Sequence, residues 1–164
     1  RLGDRVGAFV TLTPELGRDQ ARAAERALLA AGDLPSLLGV PCPIKDLTMV
    51  AGVPIGSGSA ALAGTVAPVD DGVTTLLRGA GTVMVGKTTT PEFGLPCYTE
   101  PDVAPPARTP WDLDRSAGGS SGGAAAAVAS GGRVRCASRA APATYSPAGP
   151  APGRRPAPRC RYAS

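Results

Sequence analysis

Three stretches of this 164-residue chain carry the residue types that chemistry needs. Lys45 stands in PIKD behind a short apolar run, Ser120 and Ser121 stand in AGGSSGG, and TTTPEFG lies between them. The chain contains no histidine, which removes a Ser-His-Asp triad, a Cys-His dyad and most zinc sites. Any serine nucleophile must therefore be activated by another base. A lysine on a buried strand gives up its proton readily, because desolvation disfavours the charged form. Beside a serine hydroxyl, such a neutral amine can serve as the base of an acyl transfer. Taken singly, the same residues have plainer readings: Lys45 as a surface or salt-bridged lysine, the serine pair as a flexible loop or a helix cap.

A further stretch imitates a nucleotide site. GTVMVGKT, residues 81–88, fits the phosphate-loop pattern at Gly81, Gly86, Lys87 and Thr88. In such a loop a strand comes first, the four intervening residues cradle phosphate with their N–H groups, and a helix starts at the lysine. Here the four are Thr82, Val83, Met84 and Val85, a β-branched run that reads as the strand itself. Pro91 follows where a helix should be building. We read the segment as a strand with Lys87 towards its carboxyl end.

The elements that must position these groups are legible in outline. Ala8–Leu12 reads as a short strand. A helix should follow over residues 13–33, with Thr13 as cap, Pro14 in the first turn and Gly32 as the stop. Residues 39–62, rich in Gly, Pro and Ser, read as strand and loop, and Asp70 or Asp71 can cap a short helix over DGVTTLLRGAG. TEPDVAPPARTPWDLDRSAGG, residues 99–119, reads as a proline-rich loop. It feeds a Gly/Ser turn and a helix over Ala124–Ala129, whose N-terminal N–H groups suit an oxygen that becomes negative.

Composition divides the chain at one point. The net charge of +4 arises wholly after Gly131: residues 132–164 hold seven arginines, six prolines and no acid, whereas the first 131 residues are net −3. The main body thus gives no electrostatic reason to expect nucleic acid. Residues 132–164 contain no Leu, Ile, Met, Phe or Trp and are expected to be disordered. Cys42, Cys97, Cys136 and Cys160 are widely spaced and read as inert thiols, with no metal site. No apolar run reaches membrane-spanning length and no signal segment opens the chain, so a cytoplasmic location without membrane contact is expected. The start on Arg1 reads as that of a fragment.

In order and spacing, GVPCPIKDLTMVAGVPIGSGSAAL, GTVMVGKTTTPEFG and PWDLDRSAGGSSGGAAAAVASG resemble the amidase signature family, and the resemblance covers about residues 6–131. It implies an α/β fold, a mixed sheet flanked by helices in an α/β/α arrangement, of which 1–131 would be the N-terminal part. It also implies Ser–Ser–Lys hydrolysis of a carboxamide through an acyl-enzyme, with a small-molecule amide as substrate, no cofactor, and a homodimer for the full-length protein. Lys45 resembles the family's catalytic lysine. Ser120 resembles the bridging serine, which follows a cis peptide bond, and Gly118, Gly119, Ser121 and Gly122 resemble its supporting loop.

The chain departs from the family after Gly131. The family's nucleophile lies in a D-x-G-G-S-type run that would fall near residue 144, where this chain reads RAAPATYSPAG. Thr144 and Ser146 are hydroxyls in that neighbourhood, but the glycines that would hold the oxyanion are missing. An Arg/Pro/Ala-rich, acid-free end is what out-of-frame reading of GC-rich DNA produces, and the hypothesis is a frameshift. Resequencing the locus tests it, and a tail with no alternative frame restoring G-G-S would sink it. Two other readings stand beside the amidase: the A subunit of a glutamyl-tRNA amidotransferase, and a non-catalytic truncated fragment.

Overall fold

The structure is a computed structural model and describes residues 5–131. The expected disorder of the tail and the hydroxyls of Thr144 and Ser146 lie outside the described residues.

Strand β1 (Phe9–Leu12) leads into helix α1 (Pro14–Leu29), then β2 (Pro41–Lys45), helix α2 (Gly72–Gly79) and β3 (Val83–Thr88). A hairpin of β4 (Arg108–Thr109) and β5 (Asp112–Ser116) precedes helix α3 (Gly122–Ala129). Strand β3 is central, antiparallel to β1 and parallel to β2. The parallel pair is joined through α2, as a parallel connection requires. This mixed α/β arrangement has two apolar clusters. Val6 and Ala8 pack with Ala126 and Ala127 of α3. Ile44, Val50, Val53 and Met84 pack with Leu16 of α1 and Leu77 of α2. Gln20 of α1 also accepts the Met84 N–H at 2.7 Å, pinning that helix to β3.

The phosphate-loop imitation is resolved by β3, which runs through Val83–Thr88 and so includes the pattern's second glycine, Gly86, with Lys87 and Thr88. Asp71 caps α2, accepting the Thr74 N–H at 2.9 Å, whereas Asp70 turns to Arg78 and to the Ala51 N–H. Other expectations need correction. The first helix stops at Leu29, with Ala31 rather than Gly32 in the left-handed region. Thr13 makes no side-chain cap; its hydroxyl reaches the Met84 carbonyl at 3.5 Å instead. The proline-rich segment 99–119 contains the β4–β5 hairpin, its Thr109↔Asp112 pair closed around Pro110 and Trp111. Strand β5 is largely exposed and polar, so it carries no alternating apolar signal.

The first turn of helix α3 packs against the chain just past β3. The Gly123 N–H donates to the Thr89 carbonyl at 3.2 Å, and a Cβ on Gly123 would run into the Thr89 backbone and the Ala8 carbonyl. Backbone cannot swing aside as a side-chain tip can. Gly123→Ala is therefore expected to cost about 1–3 kcal/mol, as overpacking does, measured by urea denaturation. A loss under about 0.3 kcal/mol would show that α3 can shift freely.

Candidate active site

Lys45 ends β2, in register with Thr88 of β3. From there its amine reaches the loop before α3. Lys45 Nζ donates to Ser120 Oγ at 2.8 Å and to Ser121 Oγ at 2.9 Å, across about 75 residues of chain. The structure thus brings Lys45, Ser120 and Ser121 together, and Ser121 is exposed while Ser120 and Lys45 are half-buried.

The loop that presents the serines is tied at both ends by one buried residue. Thr99 Oγ1 donates to the Gly118 carbonyl at 2.9 Å and accepts the Gly122 N–H at 3.1 Å. Thr90 Oγ1 donates to the Ser120 carbonyl at 3.3 Å. Gly119 lies against the Cys97–Tyr98 backbone, where a Cβ would collide, and Gly118 takes a positive φ of 78°. The Gly119–Ser120 peptide bond is cis. All five expected loop residues, Gly118 to Gly122, therefore lie in one tied turn. Thr99 and Thr90 were not singled out from the sequence; threonines in a proline-rich loop and in a Thr run carry no local signal of a clamp.

Burial pushes the Lys45 amine below the usual lysine range. The folded chain then binds this proton less tightly than the unfolded chain does. Stability contributed through this group therefore rises as pH climbs from the folded midpoint towards the unfolded value. Compared with Lys45→Met, the wild-type chain is expected to gain relative stability over that alkaline window, read from denaturation midpoints at several pH values. Parallel curves for the two proteins would overturn it.

A second polar group lies at the same end of the β2–β3 pair. Asp46 and Lys87 are both buried, and Lys87 Nζ stands 3.0 Å from Asp46 Oδ1. Lys87 also donates to the Thr48 carbonyl at 2.8 Å, and Asp46 Oδ2 accepts the Gly56 N–H at 3.1 Å. Cys42 is half-buried, its thiol pushed up by burial, and Cys97 is exposed. Among the described residues no helix is long and apolar enough to cross a membrane.

Comparison with known proteins places this arrangement. The Amidase family profile matches residues 1–135. The chain is 44% identical over 117 residues to the A subunit of the glutamyl-tRNA(Gln) amidotransferase of Salinispora arenicola (strain CNS-205), covering 71% of this chain and 24% of that protein. It is 40% identical over 129 residues to a putative amidase of Synechocystis sp. (strain ATCC 27184 / PCC 6803 / Kazusa), covering 77% and 26%. Its fold is similar to the native peptide amidase from Stenotrophomonas maltophilia, with a TM-score of 0.67 at 29% identity over 76% of this chain and 26% of that one. The chain thus spans about a quarter of the length of the curated relatives it matches. A matched profile over most of its residues, with similarity in both sequence and fold, means that this chain belongs to the amidase family.

Proposed function

We propose that residues 1–131 form the N-terminal part of an amidase domain and supply the base and the proton relay for hydrolysis of a carboxamide C–N bond. The observation that carries this reading is the contact of Lys45 Nζ with both Ser120 Oγ and Ser121 Oγ in a chain without histidine. A lysine held neutral has a lone pair free to take a proton from Ser120. Ser120 in turn takes the proton of an attacking serine hydroxyl, whose oxygen adds to the amide carbonyl. The proton then passes back through Ser120 to the departing amine nitrogen, leaving an acyl-enzyme that water opens by the same path. Ser121 steadies Lys45 from the exposed side. The nucleophile is not among residues 5–131 in this reading, and the run of sequence near Thr144 lacks the glycines an oxyanion loop would use. The substrate is a small carboxamide, met in the cytoplasm.

A graft tests this. Residues 1–131 joined to the following part of the putative amidase relative should release ammonia from a panel of carboxamides, and the 164-residue chain alone should not. A folded graft that hydrolyses none of the panel would sink the proposal. A second reading rests on the similarity to the Salinispora amidotransferase protein: the amide would be glutamine and the ammonia would be handed on rather than released. Against it, Thr90-Pro91-Glu92-Phe93-Gly94 stands where that branch tends to read M-D-E-F-A-M-G. Glutamine within the panel separates the two, since selective hydrolysis of glutamine favours the amidotransferase.

A further inference from the structure

The chain contains just two lysines, Lys45 and Lys87, against fifteen arginines. Both lie at the same end of the same parallel strand pair. Arginine cannot be deprotonated in proteins, so Lys45 suits a base; Lys87 has no such task in the proposed relay. It is fully buried, and its partner Asp46 follows Lys45 directly in the chain.

The surroundings show what this pair holds. Asp46 N–H donates to the Thr88 carbonyl at 3.2 Å, and the Asp46 carbonyl accepts the Ser57 N–H at 3.1 Å. The Ser57 carbonyl accepts the Phe93 N–H at 2.8 Å. The Thr48 N–H returns to the Lys45 carbonyl at 3.0 Å, and Lys87 Nζ closes that turn on the Thr48 carbonyl. The backbone next to Lys45 is therefore held by the bonds of Asp46 and Lys87. Charge enters as well. A carboxylate one residue from Lys45 would favour its ammonium form, and the buried cation of Lys87 cancels that field. Among the described residues, Ser120 and Ser121 from the loop before α3 also meet this strand end. Glu92, from the segment after β3, is engaged with the Ser59 hydroxyl at 2.7 Å.

We propose that Asp46 and Lys87 are positioning residues: a charge-balanced anchor that aims Lys45 at the two serines and keeps it available as a base. The proposal rests on the reading of Lys45 as that base.

The two-lysine composition makes the test direct. The full 164-residue chain, grown with ¹³C-labelled lysine, gives one side-chain NMR signal from each lysine, and loss of the Lys87 signal in Lys87→Met assigns them. At the alkaline pH where a lysine titrates, the Asp46 carboxylate is left without its counter-charge in that variant. The Lys45 midpoint should then rise by about 0.5–1.5 pH units, the field of one charge roughly 10 Å away in a partly polar medium. Lys87→Arg should leave the midpoint in place, and Asp46→Asn with Lys87→Met should return it to within about 0.3 units of wild type, since neither retains an unbalanced charge. If Lys87→Met does not fold, Lys87→Gln replaces it, because its amide can still donate to the Thr48 carbonyl. An unchanged midpoint in the folded single variant, or a double variant shifted as far as the single, would overturn the anchor. A wild-type Lys45 midpoint no lower than that of free lysine would instead count against Lys45 as the base.

Discussion

In the graft that carries residues 1–131, Lys45→Met is expected to lower kcat/KM for amide hydrolysis by about a thousandfold or more, and Ser120→Ala by about a hundred- to ten-thousandfold. In the proposed relay the two residues form one path, with the proton leaving Ser120 for Lys45 over their 2.8 Å contact. Losing either end closes the path, so the double variant should be hardly slower than Lys45→Met alone, the pattern of groups that act as a unit. Ser121→Ala should cost much less, about tenfold, because Ser121 touches the same amine but has no step in the proposed relay. Substrate affinity should hold, since neither Lys45 nor Ser120 is asked to bind the amide in the ground state. Initial-rate ammonia release, with KM resolved from kcat, measures all four variants. A Lys45→Met graft that keeps more than about a tenth of the wild-type rate would remove the lysine from the mechanism.

How much of this was legible in the sequence depends on the range of the interaction. Local signals were read well. The β-branched run Thr82–Val85 marked β3 in spite of the nucleotide-like pattern, and the pair Asp70–Asp71 marked a helix start, of which Asp71 is the cap. The convergence of Lys45 with Ser120 followed from resemblance, not from spacing, because 75 residues separate them. What stayed hidden is non-local and polar. Thr99 ties the ends of the serine loop from a proline-rich stretch that offers no periodic pattern. Lys87 meets Asp46 because β2 and β3 pair in parallel with Ile44 opposite Lys87, a register that neither strand states alone. Even the helix stop went to Ala31 rather than Gly32: Ala31 takes the left-handed φ that glycine would adopt at less steric cost, and the chain then folds back, the Leu37 N–H donating to the Ala80 carbonyl and the Gly39 N–H to the Gly81 carbonyl.

Stability should expose the same buried pair from another side. Asp46→Ala is expected to cost about 3–5 kcal/mol, because it leaves the fully buried Lys87 ammonium with the Thr48 carbonyl as its remaining partner. It also strips the Gly56 N–H of its acceptor. Against the roughly 5–15 kcal/mol that typically separates folded from unfolded states, this is a large fraction, and urea midpoints should fall accordingly. Lys87→Met should cost a similar amount by orphaning Asp46, whose Oδ1 has no aligned donor besides the ion-pair contact. The combination Asp46→Asn with Lys87→Met should cost less than either single change, since the asparagine can keep the Gly56 bond and no buried charge remains. Strictly additive losses would mean that the two side chains are held by their separate partners and not by each other. A coupled pair whose joint removal is cheap is a pair that stability alone does not require. Its place at the strand end that carries Lys45 is then accounted for by the proposed anchoring of that amine.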